Sequence, residues 1–366
     1  MGIKCKQFDA VVAGYLGLDL APGFAQGQTG SFVEMFRPGR LIETEGLHFS
    51  LGGVVANTGL AMQKFGQNVA LNGWVGNDAL GDIALAQLEQ FGVSGIGRKN
   101  SAGTAYGIVI APPGMDRIFL EDPGCNHILC ADDIDYELVS KSRLFHFGYP
   151  PLMERFWTNG GAELKKMLQK ARAEGAVVSL DMTLPDVSAP AGKADWQAIL
   201  TEVLPFVDIF VPSIEELLFM LKPELYSKLI EKAVDSDFID AIPPETYHLL
   251  AEKALALGVK ILLVKAGHKG AYIQTGDITE LQSSALRLSD TEGCPEGGWL
   301  KTFALDTDRF HNASGAGDCA IAAFLTALLN DEKIITAGRY AMIAGRDNLY
   351  GKDALSGLRK WSEMTN

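Results

Sequence analysis

Residues 312–318 (NASGAGD) place a run of small residues directly before a carboxylate, in the last sixth of a chain of 366 residues. The stretch that follows, residues 319–329, is apolar on nearly all faces and predicts a buried helix. Free N–H groups and the dipole at a helix N-terminus attract anions, and glycines let an anion approach the backbone closely. The segment therefore predicts an anion-binding turn at the start of a helix.

Asp318 lies in the first turn of that predicted helix. A carboxylate beside a bound phosphoryl group can accept the proton of an attacking hydroxyl. The same carboxylate can also be a favourable first-turn charge without any chemical role. The residue types alone leave both interpretations open.

The same segment also fits a different motif. Residues 315–320 (GAGDCA) match G-x-G-x-x-A, the fingerprint of dinucleotide-binding proteins. That fingerprint normally follows an opening strand, and Asp318 would face a pyrophosphate with like charge. The position in the chain therefore argues against hydride transfer, and the sequence contains no Walker-type G-x-x-x-x-G-K-[ST] loop.

A second group of residues with chemical potential lies in the N-terminal quarter. Gly52 and Gly53 permit close backbone contact at the start of a predicted helix, and Asn57 follows about one turn later, where its amide can bind a polyol. Residues 73–82 (GWVGNDALGD) follow, and Asp78 is predicted to be the N-cap of the next helix.

The elements around these segments alternate between strand and helix patterns. Alternation of this kind predicts an α/β, doubly wound, mainly parallel sheet with helices on both faces and ligands at the carboxyl ends of the strands. The predicted strands are residues 8–15, 68–75, 144–147, 177–181, 209–211 and 261–264. The predicted helices are residues 54–65, 79–91, 153–173, 195–204, 214–221 and 245–257.

Other segments do not follow this alternation. Residues 20–50 and 100–122 predict a small β-sheet lid, in which residues 106–110 and 117–121 form a hairpin. Residues 222–244 carry extra charges and two adjacent prolines, which indicates an insertion, and residues 289–298 are predicted to be a polar loop.

The amino-acid composition and net charge of the chain disfavour some classes of binding partner. The net charge of −13 disfavours nucleic acid and anionic membrane surfaces, and no apolar stretch reaches the length of a membrane span. The five cysteines include no C-x-x-C pair, which favours free thiols in a reducing compartment. We therefore expect a cytoplasmic protein that binds a small molecule.

Taken together, the two segments resemble the two signatures of the ribokinase-like (PfkB) family of carbohydrate kinases. These are a Gly-Gly and Asn helix followed by V-G-x-D-x-x-G, and a D-T-x-G-A-G-D segment near the end. The resemblance implies a single domain over residues 1–366, a β lid over a sugar substrate, and use of ATP with Mg²⁺. Lids of this family often pair, which implies a homodimer.

The resemblance also implies roles for individual residues. Asp318 would be the general base, and the N–H groups of Gly315, Ala316 and Gly317 would hold the γ-phosphate. The residues that would contact the sugar are Asp19, Gly52, Gly53, Asn57 and Asn126. The residues that would contact the nucleotide are Lys265, Gly267, Gly270 and Ser314. Glu216, in a segment similar to N-x-x-E, would organise Mg²⁺ through water.

The chain departs from the family pattern at several of these positions. Asn312 replaces an aspartate that helps to bind a monovalent cation, so the resemblance leaves potassium dependence open. Ser213 replaces the asparagine of N-x-x-E, and Lys265 replaces a threonine. Val54 replaces a residue that is often lysine, which disfavours a phosphorylated sugar unless an arginine such as Arg117 compensates.

Two other functions are compatible with the same residues. One is a nucleoside kinase of the adenosine kinase type on the same fold. The other is a non-catalytic sugar-binding or regulatory protein, which the substitutions at Asn312, Ser213 and Lys265 favour and the retained Asp318 disfavours.

Overall fold

The architecture was obtained as a computed structural model, which describes residues 6–25, 32–93, 95–113, 118–233 and 237–364. The strands are β1 (Phe8–Gly14), β2 (Gly17–Pro22), β3 (Leu47–Gly52), β4 (Val69–Asn72), β5 (Trp74–Gly76), β6 (Gly97–Lys99), β7 (Tyr106–Ile110), β8 (Ile118–Asp122), β9 (Ser142–Gly148), β10 (Val177–Leu180), β11 (Ile209–Phe210), β12 (Ile261–Lys265), β13 (Ala271–Thr275) and β14 (Gly298–Leu300).

Helices follow most of these strands along the chain. They are α1 (Phe32–Met35), α2 (Val54–Lys64), α3 (Ala79–Glu89), α4 (Tyr136–Ser140), α5 (Glu154–Trp157), α6 (Ala162–Ala173), α7 (Trp196–Val203), α8 (Ile214–Leu221), α9 (Pro223–Lys232), α10 (Phe238–Ala241), α11 (Pro244–Ala256), α12 (Thr279–Ser283), α13 (Ala316–Leu329), α14 (Ile334–Asn348) and α15 (Trp361–Met364).

The described residues form a central eight-stranded sheet in the order β14-β13-β12-β11-β10-β9-β1-β4. The strands from β4 to β12 in this order pair in parallel, and β13 and β14 are antiparallel at one edge. The residues of β10 and most of those of β12 are buried, because helices cover both faces of a parallel sheet. The predicted fold class is confirmed.

A separate four-stranded sheet, called here the small sheet, has the order β3-β2-β7-β8. Its register places Ser50, Asp19, Gly107 and Glu121 side by side across the four strands. Because side chains alternate between the faces of a sheet, these residues share one face. The predicted hairpin is present as the antiparallel pair β7–β8, whereas Arg117 lies outside the described residues.

The predicted strand over residues 68–75 is divided in two. β4 belongs to the central sheet, whereas β5 pairs with β6 in a two-stranded sheet. The chain changes direction at Gly73, where a Cβ atom would lie 3.1 Å from a methyl group of Leu16. The lack of a side chain at Gly73 lets the chain pass close to the core there.

The prediction that Asp78 is the N-cap of a helix is confirmed. Asp78 caps α3, because its Oδ1 accepts a hydrogen bond from the Gly81 N–H at 2.8 Å. The four cysteines within the described residues are free thiols. Residues 222–244 contain α9 and α10. Within the described ranges, no helix has the length and apolar character needed to cross a membrane.

Candidate active site

The candidate site lies where the carboxyl ends of the parallel strands meet the N-terminus of α13. Asp318 lies in the first turn of α13 and contacts Asn57 and Thr58 on α2 and Tyr149 directly after β9. Lys265 ends β12 on the other side of the same helix terminus. Helix α13 is buried from Asp318 to Leu329, which fixes its first turn at this edge of the sheet.

The carboxylate of Asp318 accepts hydrogen bonds from three side chains. The Tyr149 hydroxyl donates to both oxygens, at 2.9 and 2.8 Å, whereas Asn57 Nδ2 donates to Oδ2 at 3.0 Å and Thr58 Oγ1 to Oδ1 at 3.3 Å. Asp318 is only 4% exposed. Burial raises the pKa of Asp318, and the hydrogen bonds from Asn57 and Tyr149 and the charge of Lys265 oppose that rise.

A buried ion pair lies next to this carboxylate. Lys265 Nζ is 2.7 Å from Asp181 Oδ1, and both side chains are largely shielded from solvent. Burial raises the pKa of Asp181 against the opposing effect of Lys265. Burial lowers the pKa of Lys265, but Asp181, Glu216 and Asp318 outweigh it and hold that pKa above its ordinary value. The lysine therefore carries a positive charge beside the start of α13.

The turn before α13 requires glycine at one position. Gly315 has φ of 75°, in the left-handed region that disfavours other residues, and a Cβ there would lie 2.7 Å from the Cβ of Ala354. Asn312 braces the turn: its Oδ1 accepts from the Ser314 N–H at 2.8 Å, and its Nδ2 donates to the Gly351 carbonyl at 2.9 Å. The C-terminal segment therefore supports the turn from behind.

The three N–H groups predicted to bind an anion differ in this structure. The Ala316 N–H donates to the Ala313 carbonyl at 3.3 Å, so it is already engaged inside the turn. The N–H groups of Gly315 and Gly317 have no acceptor among the described residues. The Lys265 side chain runs close to the same place, since a Cβ at Gly317 would lie 3.9 Å from Lys265 Nζ.

Glu216 takes part in a capping box at the start of α8. Its Oε2 accepts from the Ser213 N–H at 2.6 Å, and the Ser213 Oγ accepts from the Glu216 N–H at 3.2 Å. Ser213 also forms a bridge with Lys265, which brings the start of α8 to the end of β12. Glu216 therefore stabilises the start of α8, and its negative charge also raises the pKa values of Lys265 and Asp181.

The glycines of the predicted nucleotide loop both have left-handed φ values. Gly267 has φ of 49° and Gly270 has φ of 98°, at the reversal between β12 and β13. A Cβ at Gly270 would collide with the Leu300 carbonyl, and one at Gly267 would lie 2.7 Å from a methyl group of Ile239. The loop geometry alone therefore requires glycine at both positions, whatever they bind.

The face of the small sheet that carries Asp19 has room for its carboxylate. A Cβ at Gly52 would lie 3.1 Å from Asp19 Oδ1, and one at Gly107 would lie 3.2 Å from the same atom. Gly53 has φ of 83° and packs against the backbone of Tyr15, so it fixes the start of α2. The two glycines beside Asp19 leave open the space that a side chain would fill.

Asn126 lies next to β2, where the main chain engages its side chain. Its side chain is fully buried, its Nδ2 donates to the Leu16 carbonyl at 2.9 Å, and its Oδ1 accepts from the Leu16 N–H at 3.5 Å. The amide therefore binds main-chain groups and is not accessible to a sugar in this structure. The expectation of a direct sugar contact is corrected to a structural role for Asn126.

Sequence reasoning missed four residues of the candidate site, which are Thr58, Tyr149, Asp181 and Glu121. Tyr149 and Asp181 each directly follow a buried strand of the central sheet. Parallel strands bring their carboxyl ends to one edge of the sheet, so position alone could have identified both residues. Glu121 is apparent only from the register of the small sheet.

The doubly wound sheet, the small sheet beside it and the carboxylate at a glycine-rich helix start define a ribokinase-like sugar kinase. The model of the pfkB family carbohydrate kinases matches residues 27–346. The chain belongs to that family, and it is therefore a phosphotransferase that acts on a carbohydrate.

Several proteins are similar to this chain in sequence or in fold. A fructokinase of Solanum tuberosum is 26% identical over 302 residues, which cover 81% of this chain and 76% of the relative. The solved structure of a fructokinase with bound ATP from Xylella fastidiosa has a TM-score of 0.70 at 18% identity and covers 97% of both chains. That of an Arabidopsis thaliana ribokinase complexed with ribose and ATP has a TM-score of 0.69 at 18% identity, over 98% of this chain and 97% of the other.

Proposed function

We propose that this protein transfers the γ-phosphoryl group of ATP to a hydroxyl group of a sugar, with Asp318 as the general base. The observation that carries the proposal is the buried Asp318 carboxylate, at the N-terminus of α13 and beside a charged lysine. Burial raises the pKa of Asp318, which increases its affinity for the proton of an attacking hydroxyl. Phosphoryl transfer needs little more from a protein than such a base, correct positioning and stabilisation of negative charge.

The negative charge of the transferring group would be stabilised by two kinds of donor. The unengaged N–H groups of Gly315 and Gly317 lie at the positive end of the α13 dipole. The ammonium group of Lys265 lies beside them. Ala316 contributes less, because its N–H donates within the turn. The proposed anion-binding site thus consists mainly of two N–H groups and the Lys265 ammonium group, whereas the sequence predicted three N–H groups.

The residues present also fit a nucleotide that arrives with Mg²⁺. Asp181, Glu216 and Asp318 act together on one ammonium group, so the cleft has more carboxylates than cations. The described residues contain no group of three His, Cys, Asp or Glu side chains placed to hold a metal directly. We therefore assign Glu216 an indirect role through water, as is common for Mg²⁺, which would neutralise charge on the phosphates.

The sugar would lie between the small sheet and the start of α2. Asp19 and Glu121 share a row on the small sheet. Burial raises the pKa of the Tyr15 hydroxyl, and the charges of Glu121 and Asp19 raise it further. Carboxylates bind neutral hydroxyl groups well and repel an anionic sugar. Asn57 donates to Asp318, so its first role is to orient the base. An uncharged sugar is the substrate class that this environment favours.

A homodimer through the small sheet remains a prediction from the family resemblance. The face opposite Asp19 exposes a row of apolar side chains, Leu47, Phe49, Ile118 and Leu120. An exposed apolar face of this kind is typical of an interface. Sedimentation of the purified protein would test the prediction.

The proposed function is tested by ATP consumption over a panel of acceptors. The panel contains fructose, ribose, 2-keto-3-deoxygluconate and adenosine, with fructose first because of the fructokinase relatives. We expect one uncharged sugar to stimulate ADP formation and to appear as its phosphate by mass spectrometry. Selective turnover of adenosine would support a nucleoside kinase. Binding of a sugar without any ATP turnover would support the non-catalytic alternative.

A further inference from the structure

Tyr149 has a backbone conformation that needs an explanation. Its φ is 66° and its ψ is 36°, in the left-handed region that a bulky side chain rarely adopts. It directly follows Gly148, the last residue of β9, and precedes a short 3₁₀ turn that begins at Pro150. Such strain costs of order 1–3 kcal/mol and persists where the surrounding structure determines it, often at a functional site.

The strained backbone of Tyr149 places its hydroxyl group beside the carboxylate of Asp318. The Tyr149 hydroxyl donates to both oxygens of Asp318, whereas Asn57 and Thr58 each donate to a single oxygen. A donor that bridges both oxygens restrains the plane of the carboxylate as well as its position. Burial and the nearby carboxylates Asp318 and Asp181 raise the pKa of Tyr149 far above its ordinary value, so it always carries its proton.

We propose that Tyr149 is a positioning residue for the general base: it fixes the orientation of the Asp318 carboxylate and stabilises its charged form. The proposal rests on the proposed function of Asp318. Tyr149 touches no reacting atom in this scheme. It acts by hydrogen bonding to the residue that does.

The charged groups around Asp318 set the direction of the expected effect. Lys265 favours the charged carboxylate, and the carboxylates Asp181 and Glu216 share the same surroundings. The neutral side-chain donors to Asp318 among the described residues are Tyr149 and, from α2, Asn57 and Thr58. Removing one donor from a buried carboxylate makes protonation easier, because burial continues to oppose the charge.

The test is Tyr149→Phe, which removes only the hydroxyl. We expect kcat to fall about 10- to 100-fold, because the plane of the carboxylate is no longer restrained and misplacement of a reacting group is costly, while the KM for ATP stays unchanged. The acid limb of the pH profile of kcat/KM should move to higher pH, because the pKa of Asp318 rises further. A merely structural role would not move that limb.

Tyr247→Phe is the matched control. Tyr247 is fully buried, its hydroxyl has no hydrogen-bond partner among the described residues, and its ring packs against Tyr272 and Trp299. We expect it to leave kcat and the pH profile unchanged. Equal losses in the two variants, or an unchanged pH profile in Tyr149→Phe, would overturn the proposal.

A double-mutant cycle with Asp318→Asn separates the possible failures. If Tyr149 acts through Asp318, then Tyr149→Phe should cause no further loss in the Asp318→Asn background. Thermal unfolding of all four proteins checks that each one is folded. If Asp318→Asn itself retains full activity, the proposed function of Asp318 fails. If only Asp318→Asn is impaired and Tyr149→Phe is normal, the inference about Tyr149 alone is refuted.

Discussion

The two sides of the cleft are built in different ways. Around the buried Asp318 carboxylate, the partly buried side chains of Asn57, Tyr149 and Lys265 have defined partners at hydrogen-bond distance. On the small sheet, Glu121 lies in an exposed strand, and Asp19 is only partly buried. One side is thus a hydrogen-bonded polar network around a buried carboxylate, and the other is an open surface.

This difference matches the two tasks of a sugar kinase. Phosphoryl transfer is the same reaction for every substrate, and a buried network strengthens each electrostatic interaction that serves it. Sugar recognition depends on groups that must lose water when the ligand arrives, so their contribution is smaller. We therefore expect large effects on kcat from the first side and moderate effects on sugar KM from the second.

The largest expected effect comes from Asp318→Asn. The amide keeps the shape but cannot accept the proton, so kcat should fall by about 10²–10⁴-fold. Stopped-flow and steady-state assays measure kcat, and isothermal calorimetry measures binding of sugar and ATP, which should persist. In the wild type, burial raises the pKa of Asp318, so kcat/KM should decrease as the pH falls through that raised pKa. A kcat near that of the wild type would contradict the assignment.

A moderate effect is expected from Asp19→Asn and Glu121→Gln. Each replacement removes one charge-assisted hydrogen bond to a sugar hydroxyl, which corresponds to roughly a 10-fold or greater rise in sugar KM. The KM for ATP should not change. Calorimetric titration of the sugar gives the change in Kd directly.

Asp122→Asn provides the control on the same strand. Asp122 adjoins Glu121 but points to the opposite face, and its Oδ1 caps the Gly124 N–H, a role that asparagine can keep. Sugar affinity should therefore be unaffected. If Asp122→Asn weakens sugar binding as much as Glu121→Gln does, the proposed binding face of the small sheet is wrong.

The smallest expected effect concerns monovalent cations. The Asn312 amide already joins the Ser314 N–H to the Gly351 carbonyl, so no charge is needed to hold that turn. Replacing potassium by tetramethylammonium should leave kcat unchanged in the wild type. Asn312→Asp would place a carboxylate beside the Gly351 carbonyl and should make activity depend on potassium. A strong potassium requirement in the wild type would refute this view of Asn312.

Much of the fold could be predicted because its signals are local. The apolar strands of the central sheet and the buried helix after residues 312–318 follow from periodicity alone. The place of Asp318 in the first turn of that helix follows from the same pattern. Asp78 was predictable as an N-cap because capping depends on residues three positions apart.

The rest depends on contacts between residues far apart in the sequence. Tyr149 and Asp318 are separated by 169 positions, and no local pattern reports their hydrogen bonds. The pairing of Asn126 with Leu16 spans 110 positions, which is why a residue interpreted as a sugar ligand proved to be a buried support. Lys265 and Asp181 form their ion pair across two strands of the central sheet.

The hydrogen bonds that the Asp318 carboxylate already accepts also affect the hydrolysis of ATP by water when no sugar is bound. Its oxygens already accept hydrogen bonds from Tyr149, Asn57 and Thr58, so any attacking hydroxyl group, of water or of a sugar, must displace one of these donors. A sugar is held by its other hydroxyl groups while it does so, and a single water molecule is not. A water molecule that is poorly activated attacks ATP slowly. Without a sugar in the cleft, the protein would therefore hydrolyse ATP slowly. Rapid use of ATP would begin only when a sugar with several hydroxyl groups binds.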